Sequence, residues 1–265
     1  MITGPTSGIG QAVSLSLAAG GFHIVAAARS EEKASRVIDQ VKESGGSAEF
    51  LHLRLDDLAT VARAARTYAD QGRPLDVLVN NAAAGTRRGL TVDGFELQFG
   101  VNHLGHFLLT HHLRRTFRPG TRIVNVTSSM YLRAPGIDWS RLQRKTRSPY
   151  GLREYAVSKL ANILFTREFA GQQPDWRTYA VHPGMTDTSI VPSYAKPFLR
   201  GRLQSPEEAA KTVVWCASAQ ELQNDSGGYF SRMQRREVNS IASDDALANE
   251  LRKRSEAWCG VSPHH

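Results

Sequence analysis

Short apolar runs rich in β-branched residues alternate along the chain with longer segments in which apolar residues return every three or four positions. The runs at 23–27, 48–53, 75–80, 122–127 and 178–182 read as strands, with a weaker one at Tyr229-Phe230. The segments 9–19, 31–44, 58–71, 92–117, 150–170 and 206–219 read as helices, and 244–258 adds a last, polar one. Strand and helix in alternation predict an α/β fold: a doubly wound, mostly parallel sheet with helices on both faces. One such sheet can occupy the whole length, and no repeat or low-complexity linker divides it, so 1–265 is expected to form a single domain. The least regular stretch, 130–150, is expected to be an elaborated loop within it.

The opening, MITGPTSGIG, complicates this picture. Thr3-Gly4-x3-Gly8-Ile9-Gly10 has the spacing of a turn in which glycines let the backbone approach a pyrophosphate. The free N–H groups and dipole of a helix starting near Ile9 would then meet the charge. Alone, the pattern also occurs in many ordinary turns. The strand before such a loop is central and usually runs about five or six residues, whereas only Met1 and Ile2 precede Thr3. The first central strand is therefore expected to be largely missing, leaving backbone groups unpaired at roughly 1 to 3 kcal/mol each if buried. The chain is expected to be a truncated reading of a longer protein. The alternative is a real short form that folds poorly and binds its cofactor weakly.

Composition narrows the setting. Hydrophobic residues make up 41% of the chain, enough for a substantial core, yet no apolar stretch is long enough to span a bilayer. No basic leader followed by an apolar run opens the chain, so a cytoplasmic protein is expected. The net charge of +8 comes from scattered clusters, such as Arg114-Arg115 and Arg252-Lys253-Arg254, that read as solvated faces rather than a nucleic-acid surface. Cys216 and Cys259 lack metal or disulfide spacing. His103, His106, His111 and His112 crowd one helix without a cysteine or carboxylate at ligand spacing, so no metal is expected.

Two further features carry candidate chemistry. Arg29 directly follows the strand in FHIVAAARS, where a dinucleotide fold faces the adenosine ribose. A basic residue there suits a 2′-phosphate and an acidic one a 2′-hydroxyl, although Arg29 reads equally well as a solvent-exposed arginine opening a helix. In REYAVSKLANILF, Tyr155 and Lys159 stand four apart and share a helix face, where an ammonium could stabilise a phenolate. That spacing also arises by chance in amphipathic surface pairs.

Together, Thr3-Gly4-x3-Gly8-Ile9-Gly10, Asn80-Asn81-Ala82, Asn102 in FGVNHLGHFLLT, Ser128 in RIVNVTSSM, Tyr155-x3-Lys159 and HPGMTDT resemble the short-chain dehydrogenase/reductase family, in the right order along most of the chain. VNHLGHFLLT, YAVSKLANILF and the long insert between Ser128 and Tyr155 look most like its retinol-dehydrogenase-like branch. The resemblance implies a Rossmann-like fold and an oxidoreductase interconverting a carbonyl and an alcohol on a small, fairly apolar substrate. Tyr155 would be the general acid or base, and Lys159 would lower its pKa and bind the nicotinamide ribose. Ser128 would hydrogen-bond the substrate oxygen, with Ser129 the second choice, and Asn102 would hold a water in the proton relay. Gly4, Ser7, Gly8, Ile9 and Gly10 would cradle the cofactor phosphates. Asn81 and Ala82 would line its adenosine side, and Pro183, Gly184 and Thr188 its nicotinamide side.

NADP is the expected cofactor, through Arg29, with NAD second. The family usually has an Asp contacting adenine after the third strand. Arg54 stands there instead, either stacked on the base, near the phosphate, or simply at the surface. A non-catalytic NADP sensor or a truncated pseudoenzyme is the alternative, but a sensor would need only the glycine loop. Substrate identity and homo-oligomerisation stay open.

Overall fold

The apolar runs stand side by side in one sheet. The computed structural model describes residues 1–85, 87–185 and 203–262, and its eight strands lie in the order β3-β2-β1-β4-β5-β6-β7-β8. These are β1 (Ile2–Thr3), β2 (Ile24–Ala28), β3 (Ala48–His52), β4 (Val77–Asn80), β5 (Arg122–Val126), β6 (Arg177–His182), β7 (Tyr229–Ser231) and β8 (Gln234–Arg236). All neighbours pair in parallel except β7 with β8. The helices are α1 (Gly8–Ala19), α2 (Glu31–Glu43), α3 (Leu58–Ala69), the short α4 (Leu97–Phe99), α5 (Gly105–Leu113), α6 (Leu152–Gln172), α7 (Pro206–Ser218) and α8 (Asp245–Cys259).

Both sheet faces are covered, which is why β2 and β4 are buried along their whole length rather than alternating. Val13 and Leu17 of α1 pack with Val213 of α7 against Ile2, Val79 and Val124. On the other face, Val61 of α3, Leu109 of α5 and Phe165 of α6 pack against Val25, Leu78 and Ile123. Winding reverses between β1 and β4, so the ends of these two strands form the crevice where a doubly wound sheet binds its ligand.

The central strand is indeed reduced to two residues, but it is held on both sides. Ile2 lies opposite Ala26 and Val79, and Gly4 N–H donates to the Ala27 carbonyl at 3.0 Å. Val79 N–H reaches the Met1 carbonyl at 2.9 Å, and the Met1 ammonium donates to the Val77 carbonyl at 2.8 Å. That ammonium is buried, and desolvation lowers its pKa to about 5. In line with β1, a cavity of about 330 Å³ opens between the first residues of β2 and β4, bordered by Met1, Phe22, Val25, Tyr68, Leu75 and Val77.

Three expectations need correction. The segment expected to be helical from position 92 turns first: Gly94 takes φ +82°, the Thr91 hydroxyl accepts Phe95 N–H, and helix begins at Leu97 behind a Glu96 carboxylate that accepts the Gln98 and Phe99 N–H groups. Tyr150 and Gly151 both have positive φ, so α6 begins at Leu152 rather than at 150. Strand β8, exposed throughout, was not expected, because Gln-Arg-Arg carries no apolar alternation. Among the described residues no helix is long and apolar enough to cross a membrane.

Candidate active site

The glycine turn joins β1 to α1 at the crevice. Gly4 sits at φ +64° with Ala82 packed where its side chain would be, and a Cβ on Gly10 would collide with the Gly4 carbonyl oxygen. Asn81 holds the turn from the side: its Nδ2 donates to the Thr3 carbonyl at 2.9 Å and to the Gly4 carbonyl at 3.2 Å. Ser7 precedes α1 without a side-chain cap, so the N–H groups at the start of the helix, around Gly8, Ile9 and Gly10, face the crevice unblocked. This donor set, with no Cβ in the way, fits a pyrophosphate. Asn81 and Ala82, expected to line the adenosine side, here shape the turn itself.

Ser128, Tyr155 and Lys159 converge where β5 ends beside α6. Ser128 begins the turn after β5 and its hydroxyl accepts Met130 N–H at 3.2 Å, whereas Ser129 is exposed. Lys159 is only 2% exposed; its Nζ donates to the Val126 carbonyl at 2.9 Å and stands 5.5 Å from the centroid of the Tyr155 ring. Thr127 Oγ1 ties the two elements by donating to the Lys159 carbonyl at 2.8 Å. Burial pushes the Tyr155 phenol up to about 12, with the Ser128 hydroxyl acting in the opposite direction, and pushes Lys159 down to about 7. At neutral pH the site therefore holds a protonated phenol beside an amine that titrates near pH 7.

Asn102 lies not in regular α-helix but in a π-helical segment, Gly100–Leu104, between α4 and α5. Its side chain is committed at both ends: Oδ1 accepts Ala84 N–H at 2.7 Å and Nδ2 donates to Ser158 Oγ at 2.9 Å. The backbone carbonyl of Asn102 accepts from His106 Nδ1 at 3.0 Å. Such single π turns recur at functional sites, where they re-aim backbone groups.

Arg29 is exposed directly after β2. Arg54, at the end of β3, bonds Asp56 through Nε at 3.3 Å and Nη2 at 3.2 Å, so its guanidinium is engaged by a carboxylate. The charge of Arg29 contributes, after that of Arg54, to holding the Asp56 carboxyl below its usual range. On the opposite side of the crevice Pro183 is buried, and Gly184, at φ +99°, has the Gln204 carboxamide packed against it. Thr188 lies outside the described residues.

Ser158 and Thr127 were not singled out from sequence, and His106 and Asn80 entered the sequence reading without the roles they hold here. Ser158, Thr127 and His106 support the site through bonds to residues 32 to 103 positions away. Asn80 Nδ2 bridges to Thr110 at 3.1 Å and Asn125 at 2.8 Å, a polar link across β4 and β5 that fixes the crevice floor. The only sequence signal for them is position within the motifs that carry their partners.

The short chain dehydrogenase family profile matches residues 1–141. Dehydrogenase/reductase SDR family member 13 of Homo sapiens is 34% identical over 278 residues, covering 99% of this chain and 73% of its own. Retinol dehydrogenase 12 of Homo sapiens is 35% identical over 263 residues, covering 95% of this chain and 83% of its own. Among solved structures, a short chain dehydrogenase from Burkholderia cenocepacia J2315 in complex with NADP superposes with a TM-score of 0.71 at 26% identity, over 92% of this chain and 96% of that one.

Proposed function

The chain belongs to the short-chain dehydrogenase/reductase family, which makes it an NAD(P)-dependent oxidoreductase, and from that premise we propose that it interconverts a carbonyl and an alcohol on a small, fairly apolar substrate with NADP as cofactor. The observation that carries the proposal is the convergence of Ser128, Tyr155 and Lys159 at the end of β5, across the crevice from the glycine turn.

Bound at the glycine turn, NADP(H) supplies or accepts the hydride. In reduction, the Tyr155 Oη–H donates its proton to the substrate oxygen, and the phenol's high pKa keeps that proton in place beforehand. Ser128 Oγ orients the same oxygen. A protonated Lys159, held against the ring by the Val126 carbonyl, favours the phenolate left after transfer. In oxidation the same atoms run in reverse.

Arg29 supports NADP over NAD. It stands free of any carboxylate contact within ion-pair distance among the described residues, at the strand end that faces the adenosine ribose. The test is a panel of aldehydes, ketones and alcohols followed by nicotinamide absorbance with NADPH, NADH and their oxidised forms. Turnover of at least one carbonyl–alcohol pair, faster with the phosphorylated cofactor, is expected; cofactor binding without any turnover would point to a sensor.

A further inference from the structure

We propose that the substrate of this site carries an anionic group, a carboxylate or phosphate, remote from its reacting carbonyl, and that Arg133 and Arg153 receive it. The inference rests on the reading of Tyr155 and Ser128 given above and adds the substrate's charge to it.

A cavity of about 380 Å³ is lined by Met130, Arg133, Pro135, Leu152 and Arg153. It adjoins the proposed reacting centre along both elements that build that centre. Leu152 stands three residues before Tyr155 on α6, on the same face and about one helical turn, roughly 5 Å, along the axis. Met130 follows Ser128 by two residues and is tied to it by the 3.2 Å bond from its N–H. A molecule whose oxygen lies between Ser128 and Tyr155 therefore extends over Met130 and Leu152 into this cavity.

The wall chemistry is divided. Met130, Pro135 and Leu152 offer apolar surface. Arg133 and Arg153 bring two positive charges to the same cavity, and neither side chain has a hydrogen-bond or ion-pair partner among the described residues. The carboxylate nearest in sequence, Glu154, is occupied by the Arg147 and Ser148 N–H groups at 3.0 Å each. Elsewhere on the surface arginines do meet carboxylates, Arg115 with Asp70 at 2.9 Å and Arg235 with Asp225 at 2.8 Å. Both arginines are exposed and free to turn toward a bound anion, which would accept from their guanidinium forks. The apolar surface between the arginines and Tyr155 then suits a hydrocarbon linker.

The experiment compares straight-chain aldehydes bearing a terminal carboxylate with their methyl esters, in a series of chain lengths, as NADPH-dependent substrates. The readout is the acid-to-ester ratio of kcat/KM within each protein, in which a loss of folded enzyme cancels. The ratio is expected to exceed tenfold, about 1.4 kcal/mol, at the best chain length. It should shrink with added salt and fall to near one in an Arg133→Gln/Arg153→Gln double variant, while Arg153→Lys retains most of it. Equal use of acid and ester, or a preference that survives the double substitution, overturns the proposal. If neither aldehyde is turned over, calorimetric binding of acid and ester to the NADPH-loaded protein reads the same ratio. The missing turnover then counts against the reaction alone. Co-sedimentation with phosphatidylserine vesicles, absent with phosphatidylcholine and lost in the double variant, would assign the arginines to a lipid surface and overturn the substrate assignment if acid and ester are used alike.

Discussion

His106 Nε2 lies 2.8 Å from the Thr3 hydroxyl, and the neutral state of the buried ring, with the Asn102 carbonyl at its other nitrogen, fixes the direction of that bond over the longer 3.4 Å contact from Thr3 Oγ1 to the Val79 carbonyl. The Asn102 carbonyl can only accept, so His106 Nδ1 carries the proton, and Nε2 must accept from Thr3. Thr3 Oγ1 in turn accepts the N–H groups of Asn81 at 2.9 Å and Ala82 at 3.0 Å. One neutral imidazole thus braces the glycine turn against the π turn of Asn102. His106→Phe is expected to leave the Thr3 and Asn102 groups short of partners, at roughly 1 to 3 kcal/mol each. Urea denaturation measures the loss, and NADPH affinity should fall with it. A variant as stable as the parent would remove the brace from this account.

Acid should unfold the protein through the same helix. Burial lowers His106 to about 4 and His103, which bonds Ser255 Oγ at 3.1 Å, to about 3. Both values lie below the unfolded value of about 6.5, so the unfolded chain binds more protons between them. The contribution is complete above pH 6.5 and is lost as pH falls toward 4, on the order of 3 kcal/mol for His106 alone. Denaturation midpoints followed from pH 7 to pH 4 should drop steeply below about 6.5. A flat profile would mean that the imidazoles are not buried neutral.

Filling the cavity in line with β1 should stabilise the sheet. Three β-branched apolar residues placed ahead of Met1 would continue β1 between β2 and β4 and replace a buried ammonium by a peptide N–H. Each side chain buried contributes roughly 1.5 to 3 kcal/mol before the entropy of ordering is set against it, so a net gain of at least about 1 kcal/mol in urea melts is expected. The gain should be largest at and below about pH 5, where the unextended chain bears the full cost of its buried ammonium, and should shrink as pH rises toward 8. An extension that leaves stability unchanged at every pH argues that the cavity is not strand-shaped.

Arg29→Ala should narrow the preference for NADPH over NADH by about tenfold or more, since a charge-assisted contact to the 2′-phosphate is worth roughly 1.5 to 3 kcal/mol. Dissociation constants for both cofactors, measured by fluorescence, decide this. Parent protein that binds both equally contradicts the role given to Arg29.

Local patterns in the sequence reach as far as local geometry does. The apolar runs mark the long strands to within a residue or two because both sheet faces are covered, and Tyr155-x3-Lys159 shares one helix face because four residues make about one turn. The start of α4 was not legible, since it depends on Glu96 capping N–H groups beyond a turn that only Gly94 reveals. Nor was the partner of His106, 103 residues away in sequence. The commitment of the Asn102 side chain to Ala84 and Ser158 depends on a π turn that no periodicity announces. Arg54 illustrates the reverse: its place after the third strand left a contact to the base, a contact to the phosphate and a plain surface position all open, and an aspartate two residues on engages it.

Steady-state turnover of Tyr155→Phe, measured beside its NADPH dissociation constant, isolates the proton transfer assigned to the phenol. Phenylalanine keeps the ring that Lys159 Nζ faces and removes only the hydroxyl proposed to move the proton. The account predicts that turnover of whichever carbonyl the parent reduces falls by at least about a thousandfold, about 4 kcal/mol in the barrier, while NADPH binds within about twofold of the parent, a difference of under 1 kcal/mol. A Tyr155→Phe protein that retains most of its activity would contradict it.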